Sequence, residues 1–149
     1  MKKTLGLGVV VALALAAVGC GGGGSKTLSK ADYASQLNQI CSDYNATVKK
    51  IGEPNSIAEL ADKGPKLLEE FDKAVAKADK LKPPSEIKTD AGKFLSESKQ
   101  LRDAINQLIA AAKKNDTAKI TEFGGKADAL SKDTDALGKK LGAPACAQG

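Results

Sequence analysis

The chain has 149 residues, with 23 lysines and arginines against 18 acidic residues, a formal charge of +5 and no histidine. Without histidine there is no Ser-His-Asp or Cys-His nucleophile system, no imidazole metal ligand and no Glu-x-x-His di-iron pattern. Aromatics are only 3% of the chain, and Ala, Leu, Lys and Asp dominate, which is helix-forming composition with a thin aliphatic core and no competing β-rich segment.

In chain order, Lys2 and Lys3 precede an apolar run from Leu5 to Val18. At about 14 residues the run is too short for a ~30 Å hydrocarbon core and suits the apolar region of an export signal. It closes on Ala17-Val18-Gly19-Cys20, which resembles the lipobox of bacterial lipoproteins, with Ala17 where leucine is commonest. The resemblance implies cleavage before Cys20, a diacylglycerol on the Cys20 thiol, and a protein held by lipid on the extracytoplasmic face of the cell membrane. Two acyl chains at ~0.8 kcal/mol per buried methylene anchor stably. Residues 1–19 are then a signal peptide, residues 20–28 the lipidated cysteine and Gly-rich tether, and residues 29–149 the folded domain. Gly21 to Ser25 make a flexible tether with a reach of about 12 Å, so the domain sits close to the lipid surface. Gly24-Ser25-Lys26-Thr27 lacks the glycine directly before lysine that a phosphate-binding loop needs. Loss of the leader leaves a charge of +3, and neither that balance nor the location argues for nucleic acid.

From Ser29 to Ile51 the apolar residues Tyr33, Leu37, Ile40, Tyr44, Val48 and Ile51 recur at spacings of three and four, one face of a helix. Ser29 with Asp32 resembles a capping box. Gly52-Glu53-Pro54-Asn55 is a turn. Ser56 with Glu59 opens a second helical segment, which Gly64-Pro65 is expected to break or kink before Leu67, Leu68, Phe71, Val75 and Leu81 resume. Pro83-Pro84-Ser85 ends it, and the longest run follows, from Ser85 to about Asn115, with Ile87, Ala91, Phe94, Leu101, Ile105 and Ile109 on a broad face. A last helix from about Thr117 carries Ile120, Phe123, Ala127, Leu130, Thr134, Leu137 and Leu141 in the three-four pattern of a bundle seam. Gly124-Gly125 is expected either to allow close helix approach or to break that helix locally.

Short loops between long amphipathic helices predict an all-α, up-down bundle of about four helices. With Cys20 carrying lipid, Cys41 and Cys146 remain as an even pair in an oxidising compartment, and a disulfide between them is expected. Closing a loop of roughly 105 residues contributes about 4–5 kcal/mol in the chain-entropy model. Cys41 lies about 18 Å along the first helix, and the five residues after Leu141 reach about 17 Å, so the tail can run back along that helix and be stapled there.

Candidate chemistry is sparse. Glu69, Glu70, Asp72, Glu97 and Glu122 lie on helices, nearly all with lysines at helical spacing, as on a solvated face. Asp128, Asp133 and Asp135 lack the spacing of a calcium loop, and two cysteines without histidine do not close a zinc shell. No catalytic residue, metal or cofactor is predicted. The lysine pairs Lys49-Lys50, Lys113-Lys114 and Lys139-Lys140 sit near helix C-termini, where the dipole favours them. A sharper expectation is that Lys80, Lys82, Lys139 and Lys140 gather at the end nearest the anchor and touch anionic headgroups. Lys49, Lys50, Lys113 and Lys114 would mark the far end, open to an anionic wall polymer or an acidic envelope protein. Tyr33 and Tyr44 are expected to pack their rings in the core and reach water with their hydroxyls.

The Gly-rich tether, the Ile40-Cys41 helix, the Leu81-Lys82-Pro83-Pro84 turn and the late Cys146 are similar to small helical lipoproteins of high-GC Gram-positive bacteria. The resemblance, with the missing catalytic residues, implies a non-enzymatic cell-envelope lipoprotein acting as a binding or scaffolding module. The alternative is a small-ligand carrier or sensor with a pocket between its helices.

Overall fold

The computed structural model describes residues 26–148. They form four α-helices, α1 (Lys30–Ile51), α2 (Ile57–Ala78), α3 (Lys88–Lys113) and α4 (Thr117–Lys140), with 3₁₀ turns at Ser85–Ile87 and Pro144–Ala147. The chain runs up, down, up and down, so one pole holds the start of α1, the α2–α3 connection and the end of α4. This is the N pole; the α1–α2 and α3–α4 turns form the distal pole.

Local chemistry sets the helix ends. Ser29 Oγ accepts from the Asp32 backbone N–H and Ser56 Oγ from that of Glu59, each satisfying a donor that has no partner within its helix. The Asp32 carboxylate takes the Ser29 hydroxyl and the Glu59 carboxylate the Asn55 N–H, so neither pair closes the reciprocal capping box. Asp116 caps α4 in the same way through Lys119 N–H. The turns that follow α1 and α4 each use a glycine at positive φ, Gly52 at 85° and Gly142 at 80°.

Neither α2 nor α4 is broken at its expected interruption. α2 runs through Pro65 as one helix, with Gly64 packed closely on α3: a Cβ at Gly64 would lie 2.7 Å from Ile109 Cγ1. Burial along α2 therefore outweighs the ~3 kcal/mol that an internal proline costs. α4 runs unbroken through Gly124-Gly125, and nothing lies within 4 Å of a Cβ built at either one, so they serve neither as a break nor as a close-approach site.

The bundle is a ring left open on one side. α2 packs on α1 and α3, and α3 on α4, but between α4 and α1 the main link is the C-terminal 3₁₀ turn, which packs on both. Three features hold that turn. Gly138 leaves room on α4, since a Cβ there would meet Cys146 Cβ at 2.8 Å. Ala145 is clamped from α1, its N–H donating to Asn38 Oδ1 at 2.8 Å and its carbonyl accepting from Asn45 Nδ2 at 2.7 Å. Between those asparagines lies Cys41, bonded to Cys146 with Cα atoms 4.9 Å apart.

The best-packed core is at the N pole, where Tyr33, Leu37, Ala78, Ala91, Leu141 and Ala143 cluster with Ile87, Phe94 and Leu137. Tyr33 departs from expectation: it is fully buried, and its hydroxyl has no hydrogen-bond partner among the described residues. The tail turn and the α2–α3 connection roof over a pole that the sequence alone leaves open to water. Ion pairs dress the exterior. Arg102 grips Asp72 through two nitrogens, at 2.9 and 3.3 Å, tying α3 to α2, and Lys140 binds Asp90 at 2.8 Å, tying α4 to α3. Among the described residues no helix is long and apolar enough to cross a membrane.

Candidate functional site

Above the N-pole core the four helices do not fill the space between them. A cavity of about 380 Å³ lies there, lined from all four helices and by Cys146. Native interiors pack to crystal-like density with few voids larger than a water molecule, and ligand pockets run from about 300 to 1,000 Å³.

Its walls follow from the helical periodicity. Leu37, Ile40, Cys41 and Tyr44 form the α1 wall; Phe71, Ala74, Val75 and Ala78 the α2 wall; Phe94, Leu95, Ser98, Leu101 and Ile105 the α3 wall. Each set repeats at three or four residues, so the stripe that faces the bundle axis also faces the cavity. The small side chains Ala74, Ala78 and Ala127 leave the volume empty. Tyr44 of α1 and Phe71 of α2 meet edge to face in its wall, ring centres 5.5 Å apart. Burial holds the Tyr44 hydroxyl above its ordinary pKa, so it stays neutral and able to donate.

Two polar wall residues are satisfied within their own helices. Ser98 donates to the Phe94 carbonyl at 2.8 Å, and Thr134 to the Leu130 and Ser131 carbonyls. The remaining polarity sits on the open side, where Asn45 of α1 faces the α4 row Asp128, Ser131 and Asp135. Partial burial raises the Asp135 pKa, and the charge of Lys139 opposes that rise. Asp128 is exposed and paired with Lys132 at 2.8 Å.

Of the residues singled out in the sequence, Cys41 and Cys146 come together as the disulfide, and both border the cavity. Cys20 lies outside the described residues. Lys80, Lys82, Lys139 and Lys140 are all exposed, at or just beyond the C-terminal ends of α2 and α4. Lys140 is engaged by Asp90; Lys80, Lys82 and Lys139 form no ion pair among the described residues. Lys49, Lys50, Lys113 and Lys114 are exposed at the ends of α1 and α3, on the distal pole.

The surface carboxylates are mostly paired. Glu69 and Glu70 share Lys73, which raises the lysine pKa, while the Lys73 hydrogen bond lowers that of Glu69. Asp72 holds Arg102, and Glu97 faces Lys93 at 3.5 Å with its other oxygen buried and unpartnered. Glu122 is exposed. Among the described residues no three potential metal ligands cluster.

Asn38 and Asn45 escaped notice in the sequence. Their signal was legible: they flank Cys41 at helical spacings of three and four, on the face that receives the tail. Comparison with family models, curated proteins and solved structures finds no match to this chain.

Proposed function

We propose that this protein is a non-enzymatic, lipid-anchored lipoprotein of the cell envelope whose helical domain is a carrier or sensor for a small apolar ligand. The cavity between the helices carries the choice of ligand binding over scaffolding. An apolar hollow of this size forfeits packing contacts that larger side chains would supply, and a fold retains it where something else fills it. The lipobox-like Ala17-Val18-Gly19-Cys20 supports anchoring through Cys20, with residues 1–19 removed and residues 20–28 as tether. The exposed Lys80, Lys82 and Lys139, which form no ion pair among the described residues, support contact between the N pole and anionic headgroups, worth about 1 kcal/mol per basic residue near the surface.

Two measurements test the proposal. The first is intact mass and membrane partition of wild type and Cys20→Ala in a bacterial host; a lipid-sized addition on a chain starting at Cys20, lost with anchoring in the variant, is expected. A freely secreted, unlipidated wild type would overturn the anchor. The second is native mass spectrometry of the purified protein beside Ala74→Leu and Ala127→Leu, which fill the cavity. A small apolar adduct retained by wild type and lost from both variants is expected, and an empty wild type that also ignores added amphiphiles would defeat the ligand-binding role.

A further inference from the structure

The polarity of the cavity is one-sided. Among the described residues no lysine or arginine lines it, and two carboxylates do. Asn45 gives one of its two amide protons to the Ala145 carbonyl, leaving its side-chain oxygen as acceptor and a second N–H. Ser98 and Thr134 spend their protons on backbone carbonyls. The charged groups of the lining are therefore all acceptors, the Asp135 carboxylate and the second oxygen of Asp128, with Asn45 Oδ1 as a further acceptor and the neutral Asn45 N–H, Ser131 and Tyr44 hydroxyls beside them. Lys132 and Lys139 stand next to the two acids on α4 and moderate their charge, but neither lines the cavity.

Asp128, Ser131 and Asp135 recur at three and four residues along α4, a single row at the side where α1 and α4 are bridged by the tail turn. Opposite that row the walls are aliphatic and aromatic. This arrangement matches a molecule with one apolar body and one small polar end. An anionic head beside two carboxylates meets repulsion and finds no cationic donor in the lining; an ammonium or hydroxyl head finds acceptors at each step.

Building on the ligand-binding reading above, we propose that the cavity takes a single-chain amphiphile whose head donates hydrogen bonds and carries no negative charge. Its chain lies among Leu37, Ile40, Phe71, Phe94, Leu101 and Ile105, and its head lies against the Asp128-Ser131-Asp135 row. An alkyl amine or alcohol fits; a fatty-acid anion does not.

The test uses the mature chain from residue 20 with Cys20→Ala, so that no detergent is needed, titrated calorimetrically with decylammonium, decanol and decanoate. These probes share chain length and differ only at the head. Decylammonium and decanol are expected to bind, with decanoate weaker by about tenfold, the scale of one charge-assisted hydrogen bond. In Asp128→Asn/Asp135→Asn the decylammonium and decanoate affinities should converge. Three equal affinities in the wild type, or a preference unchanged in the double variant, would overturn the head assignment and leave the pocket reading standing. Binding of none of the three would overturn both.

Discussion

Gly138 is the point where the tail turn closes the ring, and Gly138→Ala tests that role in isolation. Alanine in a helix interior gains about 1 kcal/mol over glycine, so the default expectation for the substitution is stabilisation. Against this, the new methyl would sit 2.8 Å from Cys146 Cβ, with Ala143 O at 3.5 Å. Cys146 cannot swing away, because its sulfur is bonded to Cys41 and the neighbouring Ala145 is clamped by Asn38 and Asn45. Overpacking of this kind costs about 1–3 kcal/mol, which leaves a net loss of about 1 kcal/mol and a Tm lower by about 4 °C for a domain of this size. Gly124→Ala and Gly125→Ala supply the contrast: with nothing near either Cβ, both should raise Tm by a few degrees, about 0.5–1 kcal/mol each. Thermal unfolding followed by far-UV circular dichroism reads all three. The Gly138→Ala penalty should also shrink in reduced protein, where the turn is free to retreat, a coupling visible as a double-mutant cycle. A Gly138→Ala protein more stable than wild type, or one whose penalty ignores reduction, would refute the claim that this glycine exists to seat the tail.

Other expectations follow from the same contacts. Tyr33→Phe removes a buried hydroxyl that has no partner and should stabilise the domain by about 1 kcal/mol in urea unfolding; a loss of that size would show that the hydroxyl is satisfied in solution. Reducing the Cys41–Cys146 bond should lower stability by about 4–5 kcal/mol, read as a fall in urea midpoint, and a fall under about 1 kcal/mol would mean that the two asparagines hold the tail unaided. Burial raises the Asp135 pKa above its ordinary 3.8, so the folded state keeps that proton longer than the unfolded chain does. Stability tied to this group is present below 3.8 and is lost as pH rises through the folded value. Asp135→Asn should therefore gain on wild type across that window. Glu59 and Glu69, whose pKa values are lowered by hydrogen bonds from Asn55 and Lys73, behave oppositely, losing their contribution as pH falls below 4.5, but they are common to both proteins and cancel in the difference. Parallel pH profiles for the two proteins would refute the assignment.

Much of this molecule is written locally. The three-four spacing of Tyr33, Leu37, Ile40 and Tyr44, the caps at Ser29 and Ser56 and the turn at Asn115-Asp116 each depend on residues a few positions apart, and α1, α2 and α4 begin where those signals place them; α2 instead stops at Ala78, short of Leu81, and a 3₁₀ turn at Ser85–Ile87 precedes α3, which starts at Lys88 and not at Ser85. The cysteine pairing was legible too, from the even pair left once Cys20 is set aside, and helix rise and tail length are consistent with it. What the helices do to one another was not. Pro65 is a breaker by its own chemistry, yet α2 continues through it while Gly64 packs closely against Ile109 of α3, a contact that no local signal announces. A stripe of apolar residues says that a face is buried, not whether its partners meet. Leu37, Phe71 and Phe94 would read identically around a solid core and around a hollow one. The hollow is lined by the small side chains Ala74 and Ala78 of α2 and Ala127 of α4, and a four-residue turn, not a helix face, closes the ring between α4 and α1. Periodicity along one helix determines its buried face; the space left between four such faces depends on side-chain volumes summed across the bundle, and tertiary packing alone sets that sum.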